Sequence, residues 1–257
     1  MGATFDELIA EAEAAPVAGW DFSWFQGRAT EERPSWGYAR MLTERIGTAS
    51  AVLDVQTGGG EVYAEVLGRA ARLPATVAAT ESYRPNLEIA RRNLEPFGAT
   101  VADIADDADL PFPDGAFDVV ASRHPTVVRW DDIARVLAPG GTYFAQQIGA
   151  GTVRELRDFL TGSGPVNQAR SPERAVAAAE AAGLTVADLR QQALRMTFDD
   201  IGAVVYFLRK VIWTVPDFTV ARYRQRLADL HEQIRTHGPF VAHAQRFLIE
   251  AHKPPLS

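Results

Sequence analysis

The 257-residue chain contains no cysteine. That absence excludes disulfides, thiolate zinc sites, iron–sulfur clusters and a cysteine nucleophile together. Long apolar runs are missing too: none approaches the ~20 residues needed to cross a bilayer. Basic charge is scarce, with 26 Lys and Arg against 33 Asp and Glu, a formal net charge of −7. A general nucleic-acid binder needs a basic face to displace phosphate counterions, so this balance argues against one. The segment MGATFDELIAEAEAA is acidic where a secretory signal is basic, and Asp6 stands where a myristoylation signal needs Ser or Thr. A cytoplasmic protein without a membrane segment is expected. The five histidines, at 124, 231, 237, 243 and 252, match no metal-ligand spacing, so no metal site is expected.

What is present reads as an ordinary globular chain, 47% hydrophobic and 23% charged, long enough for one large domain or a core with a modest appendage. Thr4 and Glu7 have capping-box spacing before an Ala- and Glu-rich helix that Pro16 and Gly19 end. An aromatic group follows (Trp20, Phe22, Trp24, Phe25, Trp36, Tyr38), with a second helix at about 35–46. Strands at 51–55, 75–80, 100–103, 117–122 and 142–148 then alternate with helices at 61–72, 86–94 and 131–137, and a Pro139-Gly140-Gly141 turn precedes the fifth strand. Such alternation indicates right-handed βαβ units and a parallel sheet covered on both faces. Helical spacing continues at 152–160 and 173–182, weakens from about 188, and returns at 203–212 and 220–236 before a closing strand at 244–251. The paired acids Asp131-Asp132 and Asp199-Asp200 read as helix N-terminal caps.

The apolar strand AVLDV stops at Gln56-Thr57-Gly58-Gly59-Gly60 and a helix starts there. Glycine lets the backbone turn sharply and lets a ligand lie against main-chain N–H groups. In an open α/β sheet the ligand crevice lies at the carboxyl ends of the strands. A simple turn would have the same composition, and the acids decide between the two. Asp54 ends the first strand and Glu81 ends the second, about 20 residues past the glycines, where a carboxylate can accept from a ribose diol. A third acidic stretch, ADDADLPFPDG, follows the third strand.

These segments resemble the class I S-adenosylmethionine-dependent methyltransferases. VLDVQTGGG resembles the family's glycine-rich first motif, usually VLDVGCGTG, and ATESYRPNLEIARRNL the second. DDADLPFPDGAFDVVASRHP resembles the run usually seen as DAEDLPFPDxSFDVV, and RVLAPGGTYFAQQ the RVLKPGG turn before the fifth strand. The four motifs stand in order over about 51–147. The resemblance implies a Rossmann-like, seven-stranded, mostly parallel sheet with helices on both faces, its last strand inserted antiparallel, and S-adenosyl-L-methionine as cofactor. It implies cofactor contacts from Asp54, Gln56, Thr57, Gly58, Gly59, Gly60, Glu81 (the ribose acid), Ser82, Asp106 (the adenine-side acid), Asp107 and Arg123. The chain departs from the pattern at Gln56, where the family has glycine: either the loop bends differently or this side chain reaches the ligand's carboxylate.

The implied domains are an N-terminal helical lid segment at 1–48 and a methyltransferase domain at 49–257, with 188–238 a helical substrate-side insertion. The early aromatics either staple the N-terminal helices to the core or form that lid. Tyr206, Phe207, Trp213 and Phe218 suit either an acceptor pocket or a core-facing helix. Methyl transfer from a sulfonium is an in-line displacement, so the protein must align the reactants and exclude water, and a base is needed only for a protonated acceptor. His124, just past the fourth strand, is the candidate base, with packing as its plainer role. The function expected is methylation of a small-molecule acceptor at oxygen or nitrogen. The rivals are an RNA or protein methyltransferase, served by Arg190, Arg195, Arg209, Lys210, Arg222, Arg224 and Arg226, and a non-catalytic cofactor-binding protein. The sequence leaves the oligomeric state open.

Overall fold

The computed structural model describes residues 3–17 and 22–255. The expectations placed on Gly19 and Trp20 fall outside these. The chain divides into two compact units.

The larger unit holds residues 34–150, 168–192 and those from 246 onward. Its centre is a run of parallel strands: β2 (Ala51–Asp54), β3 (Thr76–Glu81), β4 (Thr100–Asp103), β5 (Phe117–Arg123) and β6 (Leu137–Ile148). The helices are α2 (Tyr38–Ile46), α3 (Glu61–Arg69), α4 (Arg84–Leu94), α5 (Trp130–Val136) and α7 (Pro172–Ala181). Period-2 alternation sends successive strand residues to opposite faces. Val52, Val119 and Phe144 pack with Leu42, Val66 and Leu94 on one face. Their neighbours Leu53, Val120 and Tyr143 pack with Ile133, Ala175 and Ala179 on the other. Burial on both faces is why these strands read as continuous apolar runs.

The smaller unit holds residues up to 33, 151–167 and 193–245. It contains α1 (Phe5–Ala14), the short strand β1 (Ala29–Glu31), α6 (Arg154–Thr161), α8 (Ile201–Lys210) and α9 (Val220–His237). The Thr4 hydroxyl accepts from the Glu7 N–H at 3.3 Å and the Glu7 carboxylate accepts from the Thr4 N–H at 2.7 Å, the expected capping box. Helix α8 is buried almost all round, and Tyr206 and Phe207 sit in the core with Trp24 and Phe25 packed against it. Trp36 and Tyr38 belong instead to the larger unit's core.

Strands β7 (Thr185–Phe198) and β8 (Phe240–His252) each have residues in both units. The sheet order is β1-β7-β8-β6-β5-β2-β3-β4. This corrects the expected seven-stranded sheet: among the described residues there are eight strands and the sheet is mixed, with β6–β8 and β1–β7 antiparallel. The eighth is β1, three residues long and mostly exposed, too short to leave a pattern in the sequence. Strand β7 escaped notice because its first nine residues are exposed or half-exposed and mix polar with apolar side chains. The closing strand is antiparallel as expected, and longer. The Pro139-Gly140-Gly141 turn is a kink inside β6, where the β5–β6 register shifts. A Cβ at Gly141 would lie 2.8 Å from the Ala138 carbonyl oxygen, so only glycine fits there. Among the described residues, no helix is long and apolar enough to cross a membrane, and no cluster of three or more His, Asp or Glu could hold a metal ion.

Candidate functional site

The site lies at the carboxyl ends of β2, β3, β4 and β5, all within the larger unit. Past β2 the chain turns at once, because Gln56, Gly58 and Gly60 have φ of 57°, 65° and 75°. Gly60 meets a second constraint: a Cβ there would lie 3.1 Å from the Leu94 side chain and 3.4 Å from the Ala90 Cα. Glycine therefore lets α3 start close against α4. The Thr57 N–H donates to the Thr80 carbonyl at 2.9 Å, tying the loop to β3.

Glu81 closes this arrangement. Its carboxylate accepts from the N–H groups of Gly58 at 2.8 Å, Tyr83 at 2.8 Å and Ser82 at 3.1 Å. Burial raises its pKa despite these donors, and Asp106 adds to the rise. A carboxylate offers about four lone-pair directions, so three bonds leave Oε2 room for one further donor. Asp54, at the end of β2, is buried and takes the Thr57 hydroxyl at 2.6 Å. Burial pushes its carboxyl up to about 7, against the opposing pull of Thr57 and Arg123. Nearby, the Tyr63 hydroxyl is buried without a hydrogen-bond partner.

Gln56 stands in a left-handed turn, with φ of 57°, and its side chain crosses to the loop after β5. There the amide oxygen accepts from the Thr126 N–H at 2.6 Å and Nε2 donates to the Val127 carbonyl at 2.7 Å. The Thr126 hydroxyl in turn donates to Asp106. Loops after β2, β4 and β5 are thus linked through one glutamine and one threonine. They border a cleft with about 400 Å³ of empty volume, part of it open to solvent, lined by Ile104, Ala105, Leu110, Val127, Ile133, Asp106 and Gln56.

Asp132 does not cap α5. It is buried, accepts from the Leu110 N–H at 2.5 Å and from Arg135 Nε at 2.7 Å, and so fixes the acidic loop that lines the cleft. Asp200 does cap α8, accepting from the Ala203 N–H at 2.8 Å. Asp107 is exposed and contributes its backbone carbonyl, which accepts from Arg129 at 2.5 Å.

Past β5, His124 has a φ of 59°. Its N–H donates to the Gln146 carbonyl at 2.7 Å and its Nε2 lies 2.9 Å from the Gln146 amide nitrogen. Burial, reinforced by the charges of Arg123 and Arg246, holds its pKa well below the usual imidazole range. Arg123 is exposed and makes no ion pair among the described residues. Asp54, Gln56, Thr57, Gly58, Glu81, Ser82 and Asp106 are therefore joined directly or through Thr126, while Arg123 and His124 stand together at the end of β5. Reasoning from sequence missed Thr126 and the part played by Gln146, and it gave Asp132 and Trp36 other roles, a helix cap and a member of the early aromatic group.

Against this geometry, residues 53–145 match the family model described as a methyltransferase domain. A demethylmenaquinone methyltransferase of Thermus thermophilus is 39% identical over 97 residues, covering 35% of this chain and 43% of that protein. The chain thus spans less than half the length of that curated relative. Among solved structures, the cyclase SpnF aligns over 97% of this chain and 93% of its own at 18% identity, with a TM-score of 0.53. A geranyl diphosphate C-methyltransferase of Streptomyces coelicolor, solved with Mg2+, geranyl diphosphate and S-adenosyl-L-homocysteine, aligns over 84% of this chain and 76% of its own at 15% identity, TM-score 0.51. These two likenesses establish the fold.

Two outcomes follow. Gln56→Ala keeps the left-handed φ and loses the bonds to Thr126 and Val127, whereas Gln56→Gly loses the same bonds and relieves the backbone. The alanine variant should be the less stable by about 1 kcal/mol in urea denaturation. For Asp54, the native carboxyl titrates near 7 and an unfolded one near ~3.9. Between these values the native state holds a proton that the unfolded state lacks, so this group's contribution to stability falls as pH rises through the window and is level above it. Asp54→Asn has no such titration. Its stability relative to the wild type should therefore climb by up to a few kcal/mol between about pH 4 and pH 7.5, read from denaturation midpoints at the two ends.

Proposed function

We propose that the chain is an S-adenosylmethionine-dependent methyltransferase acting on a small organic acceptor. The observation that carries this reading is the Glu81 carboxylate, bonded to Gly58 of the glycine loop with one acceptor direction left. A ribose hydroxyl is a donor suited to it. The residues present fit the rest of the cofactor as well. The cleft beside Asp106 has apolar walls for an adenine ring, and the unpartnered Tyr63 hydroxyl together with Asp54 offers polar atoms near the first turn. By this reading Asp54, Gln56, Thr57, Gly58, Gly59, Gly60, Glu81, Ser82, Asp106, Asp107 and Arg123 are the cofactor-binding residues. When bound, the cofactor supplies an electrophilic methyl group on a sulfonium. The chain's own part is to orient the two reactants and exclude water.

The small-molecule acceptor draws support from the relatives, whose names give demethylmenaquinone and geranyl diphosphate as acceptors. It also draws support from where the C-terminal cations go. Arg190 pairs with Asp188 at 2.7 Å, Arg224 pairs with Asp6, Arg209 donates to the Ala15 carbonyl at 3.0 Å, and Lys210 is buried. Cations engaged in this way are poorly placed to neutralise the phosphates of an RNA. The lid at 1–48 and the substrate-side role of 188–238 belong to the same proposal. A second reading, a reaction on this fold other than methyl transfer, has the likeness to SpnF over nearly the whole chain in its favour.

S-adenosylhomocysteine at about 100 times its Kd should stabilise the chain by about 2.7 kcal/mol and raise its melting midpoint, while NAD leaves it unchanged. No shift with the homocysteine would overturn the reading. Glu81→Ala should weaken S-adenosylhomocysteine binding by about 1–3 kcal/mol through lost hydrogen bonds, as measured by calorimetry. Labelled methyl groups from the donor should appear in small-molecule acceptors rather than in RNA or protein; a bound donor that is never consumed would favour the second reading.

A further inference from the structure

The hydrogen bonds behind His124 fix which of its ring nitrogens carries the proton. Trp36 Nε1 lies 2.8 Å from the Gln146 side-chain oxygen. An indole N–H only donates, so the Gln146 amide must turn its oxygen toward Trp36 and its NH2 toward His124. That NH2 also only donates, so His124 Nε2, 2.9 Å away, must accept. In the neutral ring the proton then sits on Nδ1. Little freedom remains to undo this: Trp36 and Gln146 are both 4% exposed, and the His124 main chain is held to the Gln146 carbonyl at 2.7 Å.

Nδ1 itself has no hydrogen-bond partner among the described residues, and it is not one of the sealed-off unpartnered atoms. The charged groups that act on this ring are Arg123 and Arg246, both cationic. A base would need a lone pair facing the acceptor and a neighbour to stabilise the imidazolium. Here the lone pair is spent on Gln146 and the charged neighbours would destabilise an imidazolium.

We propose that His124 and Arg123, with the charge of Arg246 acting on the same ring, form a recognition point for an oxyanion on the acceptor, a phenolate or enolate oxygen, with His124 a neutral Nδ1–H donor and Gln146 the residue that positions it. This deepens the methyltransferase reading and rests on it. The acceptor is an acidic phenol or enol that binds ionised, its hydroxyl proton leaving to solvent, so no protein base removes it. The two guanidinium charges and the ring N–H favour the anion over the neutral form.

Long-range 1H–15N spectra of the full chain, labelled at histidine, test the tautomer. The expected result at neutral pH is a protonated Nδ1 and an unprotonated Nε2. Gln146→Leu should return the ring to the Nε2–H form usual in water, and Trp36→Phe, which frees the amide to flip, should give a mixture. If the glutamine variant fails to fold, the wild-type spectrum and the tryptophan variant still decide. 4-Nitrophenol, whose anion is coloured, is the ligand probe. It should bind as phenolate at a pH where the free probe is largely neutral, with the ring still uncharged and with affinity falling at least tenfold in Arg123→Gln. An Nε2–H ring or an imidazolium in the wild type, a probe bound as neutral phenol, or no binding at millimolar probe would each overturn the proposal. Calorimetry with S-adenosylhomocysteine separates the two readings. Retained binding beside any of those results sinks the oxyanion site alone, and absent binding sinks the methyltransferase reading beneath it.

Discussion

Three backbone N–H groups converge on one buried carboxylate, that of Glu81. Two of them, from Ser82 and Tyr83, fix the course of the chain as it leaves β3. The third, from Gly58, fastens the glycine loop across the sheet top to the same point. Desolvation works against this carboxylate, as its raised pKa records, so the loop N–H groups and the acid depend on each other. Without the acid the loop would lose an acceptor at a place where other backbone groups are already paired. Without the loop the buried charge would lose one of its three donors. The turn at Gly58 follows from that mutual dependence.

Gln56 shows how a residue with a side chain can hold a left-handed turn inside a glycine loop. A residue with a Cβ at positive φ carries a cost of about 1–2 kcal/mol. Its amide recovers part of this by bonding both a donor and an acceptor in the loop after β5. Flexibility given up at the backbone is replaced by a cross-link between loops, which also carries Asp106 through Thr126.

The parts of the fold visible in the sequence are those where one residue type is physically required. Buried parallel strands must be apolar on both faces, as in β2 and β5. A left-handed turn in close contact with a neighbouring helix must be glycine, as at Gly60, and an acid at a strand end beside that turn stands out. The capping box at Thr4 and Glu7 belongs to the same group. What stayed hidden depends on register between segments distant in sequence. Gln146 faces His124 only because β6 pairs with β5 so that Gln146 lies opposite Arg123. Asp132 reads as a helix cap, and only the folded chain brings the Leu110 N–H to it. Strand β7 has the polar alternation of a half-exposed ribbon, and β1 is too short to have any periodicity.

The smaller unit is assembled from three stretches of chain, the first ending at residue 33 and the last running from 193 to 245. Its α1 packs with α8, whose Arg209 donates to the carbonyl of Ala15. A ribosome making this protein from its N-terminus therefore releases the first helix long before the surface that buries it exists. The parallel strands from β2 to β6 are complete within residues 51–148, well before α8 is made. Vectorial synthesis thus favours the sheet that carries the site forming first, with Leu8, Ile9 and Ala12 left exposed to water or to a chaperone until residues 193–245 arrive.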